Sequence, residues 1–226
     1  MVTVLFQWSY VTSHWATIQG DLLQHLLLTL IAVSIGLALS VPLGVLAWRF
    51  RVLRGPVIGV ASGLYVIPSL ALFVIIGPVT GFVASYPTAE VALVGYTMLI
   101  LVWNTVAGLE AVPAEVGDAA SAMGQAPNAV LLRVRLPLAL PYIFAGLRVA
   151  VATVIGLVTV TALIGLGGLG RLITYGFTIG YGTPIIVGLV FSIALAAVAD
   201  LLLVGTERLL VPWSRAFRGG RRRGQR

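Results

Sequence analysis

Residues 110–141 read EAVPAEVGDAASAMGQAPNAVLLRVRLPLALP, a polar, proline-punctuated run in a chain that is otherwise almost continuously apolar. Three of the seven acids (Glu110, Glu115, Asp118) and two of the fourteen basic residues (Arg133, Arg135) fall within it. The surrounding chain is too apolar for a water-soluble domain. Of its 226 residues, 59% are apolar and 9% charged, with a mean hydropathy of +1.07, whereas a soluble domain carries roughly 25% charged residues. Such a chain resides in a bilayer, and the long polar loop is where it would meet a soluble partner.

Outward from the loop, five stretches reach the ~20 apolar residues that a membrane-crossing helix needs: 22–48, 56–77, 91–109, 141–165 and 184–204. The expected fold is an all-α integral membrane protein of five transmembrane helices, with one transmembrane domain over residues 21–208 and a basic tail over 209–226. Residues 1–20, with Trp8, Tyr10 and Trp15, read either as an interfacial segment or as a frayed terminus; they lack a basic n-region and a small-residue cleavage site, so they are expected to stay on the mature chain.

Every basic residue is an arginine. Arg49, Arg51 and Arg54 follow the first stretch, Arg133 and Arg135 lie between the third and fourth, and Arg208, Arg215, Arg218, Arg221, Arg222, Arg223 and Arg226 follow the fifth. Five crossings put all three sets on one side; the other side carries only Arg171. Because cytoplasmic loops hold the excess of positive charge, the N-terminus is expected outside, with the C-terminus and the 110–141 loop inside. The tail arginines read as a topology anchor or as a patch on anionic lipid.

Within the spans, small residues are frequent: Ser34, Gly36, Ala38 and Ser40 in the first, Ala150, Ala152, Thr153 and Gly156 in the fourth, Ala194, Ala196, Ala197 and Ala199 in the fifth. They are expected to let helices approach closely. Pro42 and Pro68 are expected to kink or break their helices, and Ile67-Pro68-Ser69-Leu70 is either a pathway element or a structural kink. Charge inside a membrane is costly unless paired, so Arg148 and Asp200 are expected to pair. Asn104 is expected to bond between helices. The run GLGGLG at 165–170 has no preceding strand and so is no phosphate loop; it reads as a gate or a bend at the outer mouth.

The chemistry excluded is broad. No cysteine is present, His14 and His25 cannot form a metal cluster, and neither GxxxxGK[ST] nor HExxH occurs. No enzymatic activity is expected of this chain, and any ATP hydrolysis must come from a partner. Within the loop, Pro113 can start a helix with Glu115 and Asp118 near its N-terminus, where the dipole favours acids, and Gly124 can stop it. A second helix can start at Pro127 and end at Leu136-Pro137.

The loop resembles the EAA loop of permease subunits from ATP-binding-cassette importers, whose pattern is EAA, three residues, Gly, nine residues, then I-x-L-P. Asp118-Ala119-Ala120, Gly124 and Val134-Arg135-Leu136-Pro137 keep that spacing, with Asp for Glu and Val for Ile. The stretches 30–45, 67–73, Asn104-Thr105 with Gly108, 136–148 and 162–170 look like the glycine betaine, carnitine and choline branch, so the likeness covers about 22–208. It implies a type I importer in a bacterial or archaeal plasma membrane. It further implies two permeases, identical or paralogous, two cytoplasmic P-loop ATPases that carry the ATP and Mg, and a separate extracytoplasmic binding protein; no cofactor on this chain and no nucleic acid partner are expected. The coupling residues implied are Glu115, Asp118, Ala119, Ala120, Gly124, Arg133, Arg135, Leu136 and Pro137, with the two arginines facing acidic ATPase surface. Candidates for the pathway and gate are Tyr65, Pro68, Ser69, Trp103, Asn104, Thr159, Gly165, Gly167, Gly168 and Gly170. The rival readings are a permease of the same type for methionine, taurine or another small nutrient, and a channel or scaffold without ATP coupling.

Overall fold

The computed structural model describes residues 6–80 and 85–213, apart from the side chains of 79 and 80; the tail from Arg215 to Arg226 lies outside the described residues. Among the described residues there is no strand. The helices run α1 (Trp8–Ser13), α2 (Trp15–Arg49), α3 (Arg51–Val66), α4 (Ser69–Thr80), α5 (Tyr86–Glu110), α6 (Ala114–Ala122), α7 (Pro127–Val130), α8 (Leu136–Thr161), α9 (Gly170–Ile179) and α10 (Gly182–Leu210). Four continuous helical stretches are long and apolar enough to cross a membrane, and the α3–α4 pair makes a fifth if counted as one broken span.

The centre of the bundle is α5. In its most apolar window 61% of residues are buried, against 33% in α2 and 11% in α10, so α5 is sheathed by the rest of the chain while most of the surface of α10 is left uncovered by it. The α2–α5 seam explains why. Gly36, Ser40 and Gly44 recur every fourth residue on one buried face of α2. A side chain at Gly36 would run into Thr97, and one at Gly44 into Thr105. On the other flank, Gly108 lies against Ala139 and Tyr142 of α8, and Gly146 of α8 lies against Asn104. Without a hydrophobic driving force between helices in lipid, such backbone approach supplies the packing. The small-residue expectation holds for Gly36 and Ser40 of α2. It fails for Ser34 and Ala38 of α2, for Ala152 and Gly156 of α8 and for Ala194 and Ala197 of α10, which are exposed.

Three further expectations are corrected, and the break expected at Pro68 holds. Pro42 does not end α2, which runs unbroken through 35 residues; the seam holds the helix on both sides of the proline. That length also takes α2 back to Trp15, inside the segment expected to be terminal. At Pro68 the chain does break: α3 and α4 meet at a bend of 105°, and the Ile67 carbonyl accepts a hydrogen bond from the Tyr96 hydroxyl of α5. Protein thus satisfies the group that the break exposes. Leu136-Pro137 does not terminate the second loop helix. Residues Leu131–Arg135 form a π-turn that joins α7 to α8, making one helical stretch of 38 residues from Pro127 to Ile164. The wider turn tolerates a residue without an N–H. Between Arg49 and Arg51 the single extended residue Phe50 separates α2 from α3.

Candidate functional site

At one end of the bundle α6 projects between α5 and α8. It starts after Pro113, carries Glu115 in its first turn and ends at Met123, and Gly124 follows in the left-handed region (φ +83°) that suits glycine. Its outer face is exposed: Glu115, Val116, Asp118, Ala119 and Met123, the last 74% accessible. The inner face is buried at Gly117 and Ala120.

Four contacts fasten this unit to the bundle. The Arg135 guanidinium lies against Gly117, where any side chain would displace it, and 5.2 Å from the centre of the Trp48 ring at the end of α2, within cation–π range. Arg49 donates to Asn128 Oδ1 of α7 at 2.8 Å. Arg54 of α3 grips Glu110 at the end of α5 through two bonds of 2.5 and 3.3 Å. Between the end of α2, α6 and α7 lies a cavity of about 360 Å3, lined by residues including Trp48, Asp118, Ser121 and Arg135. Arg135, expected to face a partner, is half-buried within the loop against Gly117 and Trp48; Arg133 is exposed. Leu136 and Pro137 are half-buried in the helical turn below.

The opposite end is built differently. The GLGGLG run is held by polar side chains from the start of α2. Gly168 N–H donates to Gln24 Oε1 at 3.2 Å, and the Gln24 amide donates to the Tyr86 hydroxyl of α5. Leu169 N–H donates to His25 Nδ1 at 3.3 Å, so the ring proton sits on Nε2, which donates to the Ile155 carbonyl at 3.0 Å. His25 is fully buried. Gly165 and Gly168 have φ of +82° and +90°, Gly167 lies against Gln24, and Gly170 lies against the Thr159 backbone. One turn earlier on α2, Asp21, 1% exposed, receives Arg171 at 2.7 Å.

The pathway candidates therefore fall into separate groups. Tyr65, Pro68 and Ser69 cluster at the α3–α4 break, where the Tyr65 and Tyr96 rings meet edge to face at 5.5 Å. Thr159 and the glycines 165, 167, 168 and 170 form the clamped loop, and the Thr159 hydroxyl donates to the Gly156 carbonyl at 2.6 Å. Trp103 and Asn104 sit one to two turns from the α6 end of α5. Asn104 does not bond between helices: its amide donates to the Ile100 carbonyl in its own helix at 2.8 Å, because Gly146 presses against its side chain. Arg148 and Asp200 do meet, through Nε–Oδ1 and Nη2–Oδ2 bonds of 2.6 and 2.9 Å between α8 and α10.

Sequence reasoning missed Trp48, Gly117 and Asn128 at one end, and Asp21, Gln24 and His25 at the other. The second trio was detectable: polar residues at i, i+3 and i+4 share one face of an apolar helix, and polar groups facing a bundle interior have partners or functions.

Comparison with known proteins agrees along almost the whole chain. A family model described as "Binding-protein-dependent transport system inner membrane component" matches residues 36–210. The glycine betaine/carnitine/choline transport system permease protein OpuCD of Bacillus subtilis is 33% identical over 205 residues, covering 90% of this chain and 89% of that one. The osmoprotectant import permease protein OsmW of Salmonella typhimurium is 36% identical over 192 residues, covering 84% and 89%. Among solved structures, the inward-facing methionine ABC transporter MetNI superposes with a TM-score of 0.76 at 21% identity over 87% of this chain and 96% of that one, which is a likeness of fold.

Proposed function

Because the chain belongs to the family of binding-protein-dependent transport system inner membrane components, and is thus a multi-pass plasma-membrane subunit of an ABC importer that works with an ATPase and a substrate-binding protein, we propose that its importer carries quaternary ammonium osmoprotectants. Glycine betaine, choline, carnitine or a related betaine is the cargo. Relatives at 33% and 36% identity along nearly the whole chain, one named for glycine betaine, carnitine and choline and the other for osmoprotectant import, support the substrate class. Two copies of this chain, or one with a paralogue, flank the pathway, and two ATPase subunits hold the ATP and Mg. The α6 end faces the cytoplasm and the α9 end faces the binding protein.

The observation that carries the mechanism is the fastening of α6. The helix exposes an acidic and small-residue face for docking, while Arg135, next to α8, packs on its Gly117 and on Trp48 of α2, and the Arg49–Asn128 and Arg54–Glu110 contacts join the segments that flank it to α2 and α3. The π-turn makes α7 and α8 continuous. A displacement imposed on α6 by closure of an ATPase dimer is therefore transmitted to four helices at once, and alternating access follows as rocking of a braced body. Asp118 and Glu115 supply polar contacts, Ala119 and Gly124 close approach, and Arg133 a basic contact to the ATPase.

The test is reconstitution with the cognate ATPase and binding protein in proteoliposomes. ATP-dependent accumulation of radiolabelled glycine betaine, choline or carnitine is expected, with recovery of the ATPase on co-purification. Accumulation of methionine or taurine, and of none of the three, would overturn the substrate class; failure to recover any ATPase would overturn the coupling role.

A further inference from the structure

At the end of the bundle opposite α6, a cavity of about 270 Å3 opens between α1, the first turns of α2 and α9. It is smaller than the roughly 300–1,000 Å3 typical of drug-sized ligands, so only a small solute fits. Tyr10, His14 and Tyr175 line it, with Leu172 completing the apolar wall. The Tyr10 and His14 rings stack at 4.2 Å, and Tyr181 meets Tyr10 edge to face at 5.5 Å, which fixes Tyr10 and His14 in place; Tyr175 is half-exposed beside them.

The charges in the cavity are ordered. Asp21 lines it and is 1% exposed; Oδ1 holds Arg171 at 2.7 Å, while Oδ2 is buried and has no hydrogen-bond partner. Arg171 matches the charge of the carboxylate but covers only Oδ1, and a buried carboxylate oxygen left without a partner is costly, so the negative end of the pair is uncovered on this side. Arg171 also lines the cavity, but its side chain is 56% exposed and retains free donors toward the surface. The site is thus negative and aromatic in its depth and positive at its rim. A bare cation would meet Arg171, and a bare anion would meet Asp21.

We propose that this cavity is a binding site, on the permease itself, for a small zwitterion that enters with its quaternary ammonium toward Asp21, Tyr10 and Tyr175 and leaves its carboxylate on Arg171. The choice of a methylated ammonium over a protonated one rests on the function proposed above; the aromatic walls suit it because ring faces attract a cation without offering hydrogen bonds. The same headgroup chemistry is available from a free betaine or from a phosphocholine lipid at the membrane surface.

The probe is radiolabelled glycine betaine, titrated onto the permease–ATPase complex in nanodiscs without the binding protein. Saturable binding is expected, weakened about two- to thirtyfold by Tyr175→Ala, as loss of a cation–aromatic contact implies, and kept by Tyr175→Phe. Asp21→Asn should weaken it at least as much. Because Asp21→Asn disturbs a buried pair, Tyr175→Ala, at a half-exposed ring, is the variant whose thermal unfolding should stay unchanged. Arg171→Gln should weaken glycine betaine but not tetramethylammonium. Absence of saturable binding, or binding indifferent to both Tyr175→Ala and Asp21→Asn, overturns the proposal. Competition by phosphatidylcholine in the nanodisc supports the quaternary ammonium site and assigns it to lipid; equal binding with and without that lipid assigns it to the free solute. Uptake by the complete importer is measured in parallel. Uptake without binding overturns the cavity site alone, whereas binding without uptake supports it and overturns the proposed cargo.

Discussion

The two ends of the bundle anchor their loops by opposite means. At the α6 end two of the three fastening arginines, Arg49 and Arg54, lie at the surface and can exchange their partners for water at small cost: the Arg54 and Glu110 side chains are 37% and 45% exposed. At the α9 end they are a buried histidine, a half-buried glutamine and glycines pressed against backbone. An exposed ion pair contributes little and is easily remade, whereas a buried polar network is costly to leave half satisfied. The first end suits a part that must engage and release a partner, and the second suits a part that must hold its shape.

That contrast can be broken from the stiff side first. Gly170→Val should be the most damaging change, since its side chain would enter the Thr159 backbone, which cannot step aside; loss of about 3 kcal/mol or more is expected, read as loss of the monodisperse peak in detergent. His25→Leu should cost about 2–4 kcal/mol by stranding the Leu169 N–H and the Ile155 carbonyl, measured as a fall in thermal unfolding temperature, while ATPase recovery on co-purification persists.

At the α6 end the balance between stability and uptake inverts. Gly124→Leu imposes a side chain at φ +83° where no other atom crowds it, so stability should fall by only about 1–2 kcal/mol while uptake is lost. Gly117→Val should displace Arg135 from Trp48 and uncouple ATP hydrolysis from uptake, seen as ATPase activity that no longer responds to the binding protein. The smallest effect belongs to Glu110→Gln, about 0–1 kcal/mol. A drop in unfolding temperature there as large as that of His25→Leu would erase the distinction between the two ends.

The Arg148–Asp200 pair lay within reach of sequence reasoning, because two opposite charges in oily helices have few other ways to be tolerated. Asn104 shows the limit of that reasoning: an amide in a helix interior needs a partner, but its own helix supplied one once Gly146 occupied the space where a neighbour's acceptor would sit. Arg135 shows it again. Its position in the loop fits the charge rule for topology, yet the absent side chain at Gly117 and the ring of Trp48 draw it inward. In the same way Pro137 looked like a helix end, and a π-turn carried the helix past it.

By itself the sequence determined that the chain is a helical membrane protein, where its apolar spans lie, and that a short helix runs from Pro113 to a stop at Gly124. These are local properties: apolar run length, a proline that starts a helix and a glycine that ends one act within a few residues of themselves. Only the tertiary structure decided which helix is central, how sharply the chain breaks at Pro68, and what holds the two ends. Those outcomes rest on partners 79 residues apart for Arg49 and Asn128 and 144 apart for Gln24 and Gly168, and pairings at such separation exist only once the helices have packed.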